Sequence, residues 1–116
     1  MVINFSNGIE RALTPLDGRN KNKLISLIPY FSDFALNKYR ILVELRYLLK
    51  LSQYKIIRKL TPSEIVTINQ LIVTFDKEGY EAIRKFELKS NHDMKAVEDY
   101  LKAKLSKTSL RDIVEM

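Results

Sequence analysis

The chain has no cysteine and no tryptophan, and among its 116 residues it has only one histidine, three glycines and three prolines. The absence of cysteine excludes a disulfide framework and a thiolate metal site. One histidine cannot form a histidine-based metal site, so we expect no structural metal. The low glycine and proline content, beside 46% hydrophobic residues, indicates an ordered, regular fold rather than a disordered chain.

Long hydrophobic runs are also absent. No apolar run approaches the length that crosses a membrane, and the N-terminus lacks the pattern of a signal peptide. We therefore expect a cytoplasmic protein with no membrane partner. The sequence has no Gly-rich phosphate loop, no serine-nucleophile motif and no internal repeat.

The positive charge is dispersed. The net charge of +6 permits an anionic partner, and nucleic acid is the usual suggestion for a basic chain. Its 20 lysines and arginines are, however, mixed with 14 acids, without a basic block or a nucleic-acid motif. Most of these charged side chains are explained as solvent-exposed surface residues, so we do not expect a nucleic-acid partner. The remaining positive charge could bind a small anionic ligand.

Hydrophobic periodicity predicts an all-α fold of about five helices in a single domain over residues 1–116, with a loose arm at 1–12. A short helix is expected within 21–30, ended by Pro29. Ser32 is expected to cap a long helix over about 33–52. Thr-Pro-Ser-Glu at 61–64 is a capping box that opens a helix ending near Gly79. A further helix leads to Ser90, and one more apolar turn is expected near the C-terminus.

The long helix at 33–52 is apolar on two faces, which is more than a small monomer easily covers. This excess predicts self-association. Arg40, Glu44 and Arg46 on the same helix are interpreted as ion-paired surface residues rather than catalytic ones. The second apolar stripe comprises Leu36, Tyr39, Val43 and Tyr47.

Residues 13–20 predict a turn. Pro15 fixes one φ angle, and Asp17-Gly18 tolerates left-handed geometry. Arg19 follows that turn directly, and its guanidinium is either solvated or directed at a phosphate or carboxylate, which its planar fork binds well.

Residues 90–98 contain the single histidine at a predicted helix start. Ser90 can serve as the N-cap, with Asp93 at the position of a capping acid. His92 and Asp93 would then lie in the first turn, where backbone N–H groups favour anions. The histidine is either placed to contact an anionic ligand or is a polar surface residue at an ordinary cap.

The amino-acid sequence of this stretch resembles that of a known family. Ser-Asn-His-Asp-Met-Lys-Ala-Val-Glu, at 90–98, is similar to the Thr-Asn-His-Asp-Val-Lys-Ala-Val-Glu segment of bacterial adenylosuccinate lyases. Residues 13–20 resemble the family's Leu-Thr-(Ser/Pro)-Pro-(Leu/Val)-Asp-Gly-Arg-Tyr. Residues 31–36 and 43–48 follow its Phe-Ser-Glu-Tyr-(Gly/Ala)-Leu and Val-Glu-(Val/Leu)-Arg-Trp-Leu. The resemblance runs in register from about Leu13 to the C-terminus, whereas 53–79 match only in helical character.

The resemblance implies the small helical N-terminal domain of a lyase of the fumarase/aspartase superfamily. That family is nearly all-α, forms homotetramers and needs no cofactor. Its reaction, in purine and AMP biosynthesis, cleaves a C–N bond of adenylosuccinate or the succinyl-carboxamide ribotide and releases fumarate by β-elimination.

Carried over by position, the resemblance places Arg19 and Asn20 at the nucleotide. It implies that Asn91, His92 and Asp93 bind substrate at a helix start, where Asp93 could orient His92. Asn20 stands where the family has tyrosine, so the phenol ring and its longer reach are lost at this corner.

The family's catalytic serine loop, with its Ser-Ser-x-Met-Pro-x-Lys-x-Asn-Pro wording, and its general-acid histidine region do not occur here. We therefore expect no catalytic residue in this segment, and a fragment that is inactive alone. Two other readings remain. One is a stand-alone regulatory or interaction module that reuses the fold. The other is a basic nucleic-acid-binding module, whose binding would depend steeply on salt.

Overall fold

A computed structural model describes residues 8–114 of the chain. In that range the chain is all-α, as predicted, with no strand. Short 3-10 helices at Ile9–Arg11, Lys21–Lys23 and Ile25–Leu27 precede the α-helices. These are α1 (Ile28–Phe31), α2 (Asp33–Gln53), α3 (Pro62–Val73), α4 (Lys77–Ser90), α5 (Asp93–Leu105) and α6 (Arg111–Val114).

The chain divides into two compact units, the first ending at Ala35 and the second beginning at Leu36. The expectation of one domain over 1–116 stays a prediction. Residues 1–7 of the predicted arm lie outside the described residues, and the rest of it contains a 3-10 turn. None of the helices in the described part of the chain has the length and apolar character that a membrane crossing requires.

Hydrogen bonds to one carboxylate hold the turn at 13–20. Asp17 accepts from the backbone N–H groups of Leu13 at 3.2 Å and Thr14 at 2.8 Å, and from the Thr14 hydroxyl at 2.9 Å. The bonds from Thr14, with that from Leu13, hold the pKa of Asp17 below its ordinary value. The turn is therefore built as predicted, with Asp17 as its centre.

Gly18 serves this turn through close approach and not through left-handed geometry. No glycine among the described residues has a positive φ, so the left-handed geometry that Asp17-Gly18 tolerates is not used in this turn. A Cβ at Gly18 would lie 3.0 Å from the Cβ of Ala12 and 3.1 Å from the carbonyl oxygen of Thr14. A side chain here would require these neighbours to move, so glycine suits the close approach of the backbone.

Pro29 does not end a helix as expected. It lies inside α1, near the start of the helix, where the N–H that proline lacks has no intrahelical partner to bond. Most large apolar side chains among residues 8–35 are exposed, including Leu13 at 93% and Phe31 at 82%. Local hydrogen bonds, more than a core, hold these residues.

The start of α2 agrees with its prediction. The Ser32 hydroxyl accepts the backbone N–H of Ala35 at 3.1 Å, as an N-cap does. One face of the helix is buried through Ile41 and Leu45. The second apolar stripe is exposed, by 44% to 64%, at Leu36, Tyr39, Val43 and Tyr47.

The second unit contains the main hydrophobic core. Helix α5 packs against α4 and also contacts α6. Fully or nearly fully buried apolar side chains come from every helix of this unit from α2 to α6, among them Leu45, Ile68, Ile83, Val97, Leu105 and Ile113. The predicted helical periodicity thus describes the core-facing positions of these elements.

Gly79 does not end α3, which stops at Val73; it lies within the first turn of α4. Asp76 caps α4 by accepting the N–H of Gly79 at 3.2 Å. A Cβ at Gly79 would lie 2.7 Å from the Phe75 ring and 2.9 Å from the Tyr100 hydroxyl. Glycine is needed here because α5 and the preceding loop pack directly on the helix backbone.

The predicted capping box at 61–64 is confirmed. The Thr61 hydroxyl accepts the N–H of Glu64 at 3.2 Å, and Glu64 Oε1 accepts the N–H of Thr61 at 2.9 Å. Arg58, in the connector between α2 and α3 (residues 54–61), adds two bonds to the same carboxylate, at 2.9 and 2.8 Å. The Ser109 hydroxyl adds another at 2.9 Å. These bonds, led by Arg58, hold the pKa of Glu64 far below its ordinary range.

Candidate functional site

The candidate site in the second unit is the junction between α4 and α5. Asn91 ends α4 in a left-handed conformation, at φ 53° and ψ 30°, and donates its N–H to the carbonyl of Glu87 at 2.7 Å. Asparagine tolerates this conformation better than most residues. The chain therefore breaks here into two helices. The conformation of Asn91 gives it a structural role, whatever it binds.

The expectation that Ser90 caps α5 is wrong, since Ser90 is the last residue of α4. Its hydroxyl lies 3.1 Å from the carbonyl oxygen of Phe86 and accepts the N–H of His92 at 3.3 Å. The left-handed residue at 91 shifts the helix start by two positions, so His92 becomes the N-cap.

His92 caps α5 with its ring. Nδ1 accepts the backbone N–H of Lys95 at 3.2 Å, in the way a serine or asparagine oxygen does in other helices. An accepting Nδ1 carries no proton, so the neutral ring that makes this bond has its hydrogen on Nε2. The side chain is exposed. His92 thus presents one outward N–H donor on a ring held by the helix start.

Asp93 is engaged with other partners than the expected His92. Its Oδ1 accepts the N–H of Met94 at 2.8 Å, and its Oδ2 accepts from Nη2 of Arg40 at 2.9 Å. The Met94 bond first, and the Arg40 bond and charge next, lower the pKa of Asp93. Asp93 is therefore an ionised carboxylate whose charge is balanced by Arg40.

Arg40 is the residue of this junction that sequence reasoning did not assign to a site. Its interpretation as an ion-paired residue is confirmed, but the partner lies 53 positions away, where no local pattern points to it. The Arg40 side chain is 21% exposed and the Asp93 side chain 53%. The pair ties α2 to the first residue of α5.

The other two predicted site residues lie in the first unit. Arg19 is exposed and lines a shallow cavity of about 280 Å³ beside the turn at 13–20. Asn20 is half-buried, donates its N–H to the carbonyl of Pro15 at 3.0 Å and accepts that of Lys23 at 2.9 Å. The guanidinium of Arg19 is therefore placed where an anion can reach it, whereas the backbone of Asn20 completes the turn.

A cavity of about 780 Å³ in the second unit contains none of the predicted site residues. It lies at the connector between α2 and α3. Its lining combines the apolar side chains Leu49, Ile57, Leu60 and Ile65 with three cations, Lys55, Arg58 and Lys59, and with Ser52 and Gln53. Within residues 8–114, no group of three or more metal-ligating side chains is close enough to hold a metal ion.

No protein-family model matches the chain. It is similar to an adenylosuccinate lyase of Legionella pneumophila (strain Corby), with 41% identity over 96 residues, which are 80% of this chain and 21% of that protein. Adenylosuccinate lyases of Buchnera aphidicola subsp. Schizaphis graminum and Escherichia coli (strain K12) share 36% and 35% identity over 84% and 82% of the chain.

The resemblance to adenylosuccinate lyases is thereby confirmed over about four fifths of the chain. The chain spans about one fifth of the length of the curated relatives that it matches.

Proposed function

We propose that this chain is the N-terminal, substrate-binding portion of an adenylosuccinate lyase. The observation that carries the proposal is a sequence identity of 41% over 80% of the chain. The matching segment makes up only about one fifth of the Legionella lyase. The complete enzyme would cleave adenylosuccinate or the succinyl-carboxamide ribotide, without a cofactor, as a cytoplasmic homo-oligomer.

The chemistry of two places, the turn that carries Arg19 and the start of α5 that carries His92, supports this proposal. The substrate carries a phosphate and two carboxylates, and binding them needs cationic or N–H donors. Arg19 offers an exposed guanidinium beside a shallow cavity. His92 offers an N–H on a ring that its own helix start orients. Both belong to substrate binding, and the acid and base of the elimination would come from the rest of the enzyme.

The experiment is a chimera. This chain replaces the matching segment of the Escherichia coli lyase, to which it is 35% identical over 98 residues. Fumarate release from adenylosuccinate is then measured. We expect a working enzyme from the chimera and no fumarate from the 116-residue chain alone, because one fifth of an enzyme cannot supply the whole catalytic apparatus.

Two variants of the chimera assign the roles. Arg19→Ala and His92→Ala should each lower kcat/KM by roughly one to two orders of magnitude, since each removes a donor from an anionic substrate. Lys59→Ala removes an exposed cation of the connector and serves as the matched control. A chimera that folds and assembles yet releases no fumarate would contradict the proposal and favour a stand-alone module.

A further inference from the structure

We propose that Arg40 is a positioning residue of the substrate site: it holds and neutralises Asp93, so that the start of α5 can accept an anionic group of the substrate. The inference rests on the proposed function and adds to it a residue that does not itself contact substrate. It starts from the one long-range ion pair at the α4–α5 junction, between Arg40 Nη2 and Asp93 Oδ2 at 2.9 Å.

Arg40 is a firm anchor for this pair. Its neighbour Ile41 and, one turn further on, Leu45 are buried in the core, and the Arg40 side chain itself is only 21% exposed. A partly buried arginine on a packed helix has little freedom to move away from its partner. The first residue of α5 is therefore held to α2 at a fixed point.

Asp93 needs this partner because its charge lies beside the proposed ligand donor. It directly follows His92 and is 53% exposed, so its negative charge contributes to the electrostatic potential in front of the helix start. An uncompensated carboxylate there would repel the phosphate or carboxylates of the substrate.

Lys95, a cation in the first turn of α5, does not neutralise the charge of Asp93. The amino group of Lys95 is directed at Asp99, with 3.5 Å between Nζ and Oδ1. Arg40 is thus the cation that the structure places on the Asp93 carboxylate. The positive end of the α5 dipole remains available to an anion only while the pair is closed.

The first test uses the 116-residue chain and does not depend on lyase activity. The Asp93 carboxyl is titrated by NMR in the wild-type chain and in Arg40→Gln. We expect its pKa to rise in the variant, because the cation that favours the charged form is removed. An unchanged titration would show that the pair does not exist in solution, and the inference would fail.

The second test is a double-mutant cycle in the active chimera. Arg40→Gln should raise KM about tenfold with kcat nearly unchanged, because an exposed negative charge now opposes substrate binding. In an Asp93→Asn background, the same Arg40→Gln change should alter KM by less than about twofold, since no carboxylate remains to be neutralised. Arg40→Lys, which keeps the charge, should recover most of the loss.

The outcomes separate the alternatives. If Arg40→Gln raises KM equally in both backgrounds, Arg40 binds substrate directly and the positioning role is overturned. If it lowers kcat alone, the role is also overturned. Arg46→Gln removes another arginine of α2 and should leave KM unchanged. An inactive wild-type chimera would refute the proposed function and with it the inference, whereas the titration would still report on the ion pair.

Discussion

Two helix starts in the second unit have the same kind of sequence signal and different structures. Both α3 and α5 begin with a polar cap followed closely by an acid. At α3, the acid Glu64 turns back onto the backbone, receives Arg58 and is 3% exposed. At α5, the cap is the exposed ring of His92, and the acid Asp93 points to another helix and is 53% exposed.

The difference shows which start is available to a ligand. The first-turn carboxylate of α3 is saturated by bonds from Thr61, Arg58 and Ser109, so it joins the connector, α3 and the chain before α6. The start of α5 is fixed by fewer bonds and keeps an N–H of His92 facing outward. A buried, saturated cap stabilises the fold, whereas an exposed, partly used cap can also bind.

The largest effect on stability is expected from removing the capping carboxylate at the start of α3. Glu64→Ala should lower the free energy of unfolding by roughly 2 kcal/mol, because it removes half of the capping box, leaves the Thr61 N–H and the Ser109 hydroxyl without their acceptor, and takes from Arg58 its two bonds to Glu64. Urea denaturation of the 116-residue chain measures this change.

The control for this variant is Glu98→Ala, which removes an exposed glutamate in the middle of α5. Its effect should stay within about 0.5 kcal/mol. Equal effects of the two substitutions would mean that the network around Glu64 adds nothing beyond a surface charge, and the contrast between the two helix starts would lose its energetic basis.

A second, smaller effect is expected from acid. The pKa of Glu64 is lowered from an ordinary value of 4.5, so the unfolded chain binds its proton more readily than the folded chain does. The stabilisation is therefore complete above the ordinary value and is lost as the pH falls below it. Glu64→Gln should be less stable than the wild type at pH 7, and its stability should change less between about pH 5 and pH 3.

This comparison is measured by urea denaturation at several pH values. Parallel curves for the wild type and Glu64→Gln would contradict it. Asp112→Asn is a useful second variant, because Arg58 also binds Asp112 at 2.7 Å and lowers its pKa. It should remove a smaller part of the acid dependence, since Asp112 is 58% exposed and solvent screens the pair.

Local patterns in the sequence predicted the elements that local chemistry determines. The capping box at 61–64, the Ser32 cap and the turn around Asp17 each depend on side chains within four residues of the groups that they bond. The helix over 33–52 is predictable for the same reason, because its hydrophobic residues recur in consecutive turns of the same segment.

The errors arose where distant residues or exact backbone angles decide. The left-handed Asn91 moved the cap from Ser90 to His92, and one residue in that conformation leaves no mark on hydrophobic periodicity. The sequence predicts a helix end near Gly79, whereas in the structure its absent side chain makes room for Phe75 and Tyr100. The pairing of Arg40 with Asp93 joins two helices and could not be inferred from either segment.

The smallest effect on stability, and the sharpest test of the comparison, is expected at His92. His92→Asn offers an amide oxygen near the position of Nδ1 and should keep the cap, because asparagine is among the best N-cap residues. His92→Ala loses the acceptor for the Lys95 N–H and should cost about 1 kcal/mol of unfolding free energy. Asparagine does not reach as far as Nε2, so both variants lack the outward N–H of the ring.

The two variants therefore separate capping from binding. If His92 binds substrate, His92→Asn and His92→Ala should lose similar activity in the lyase chimera, although only His92→Ala loses stability. If His92 is a cap and nothing more, His92→Asn should retain the activity of the wild type. The capping acceptor is kept in His92→Asn and lost in His92→Ala. Measuring the unfolding free energy and kcat/KM of both variants thus decides whether the start of α5 differs from that of α3 in function or only in exposure.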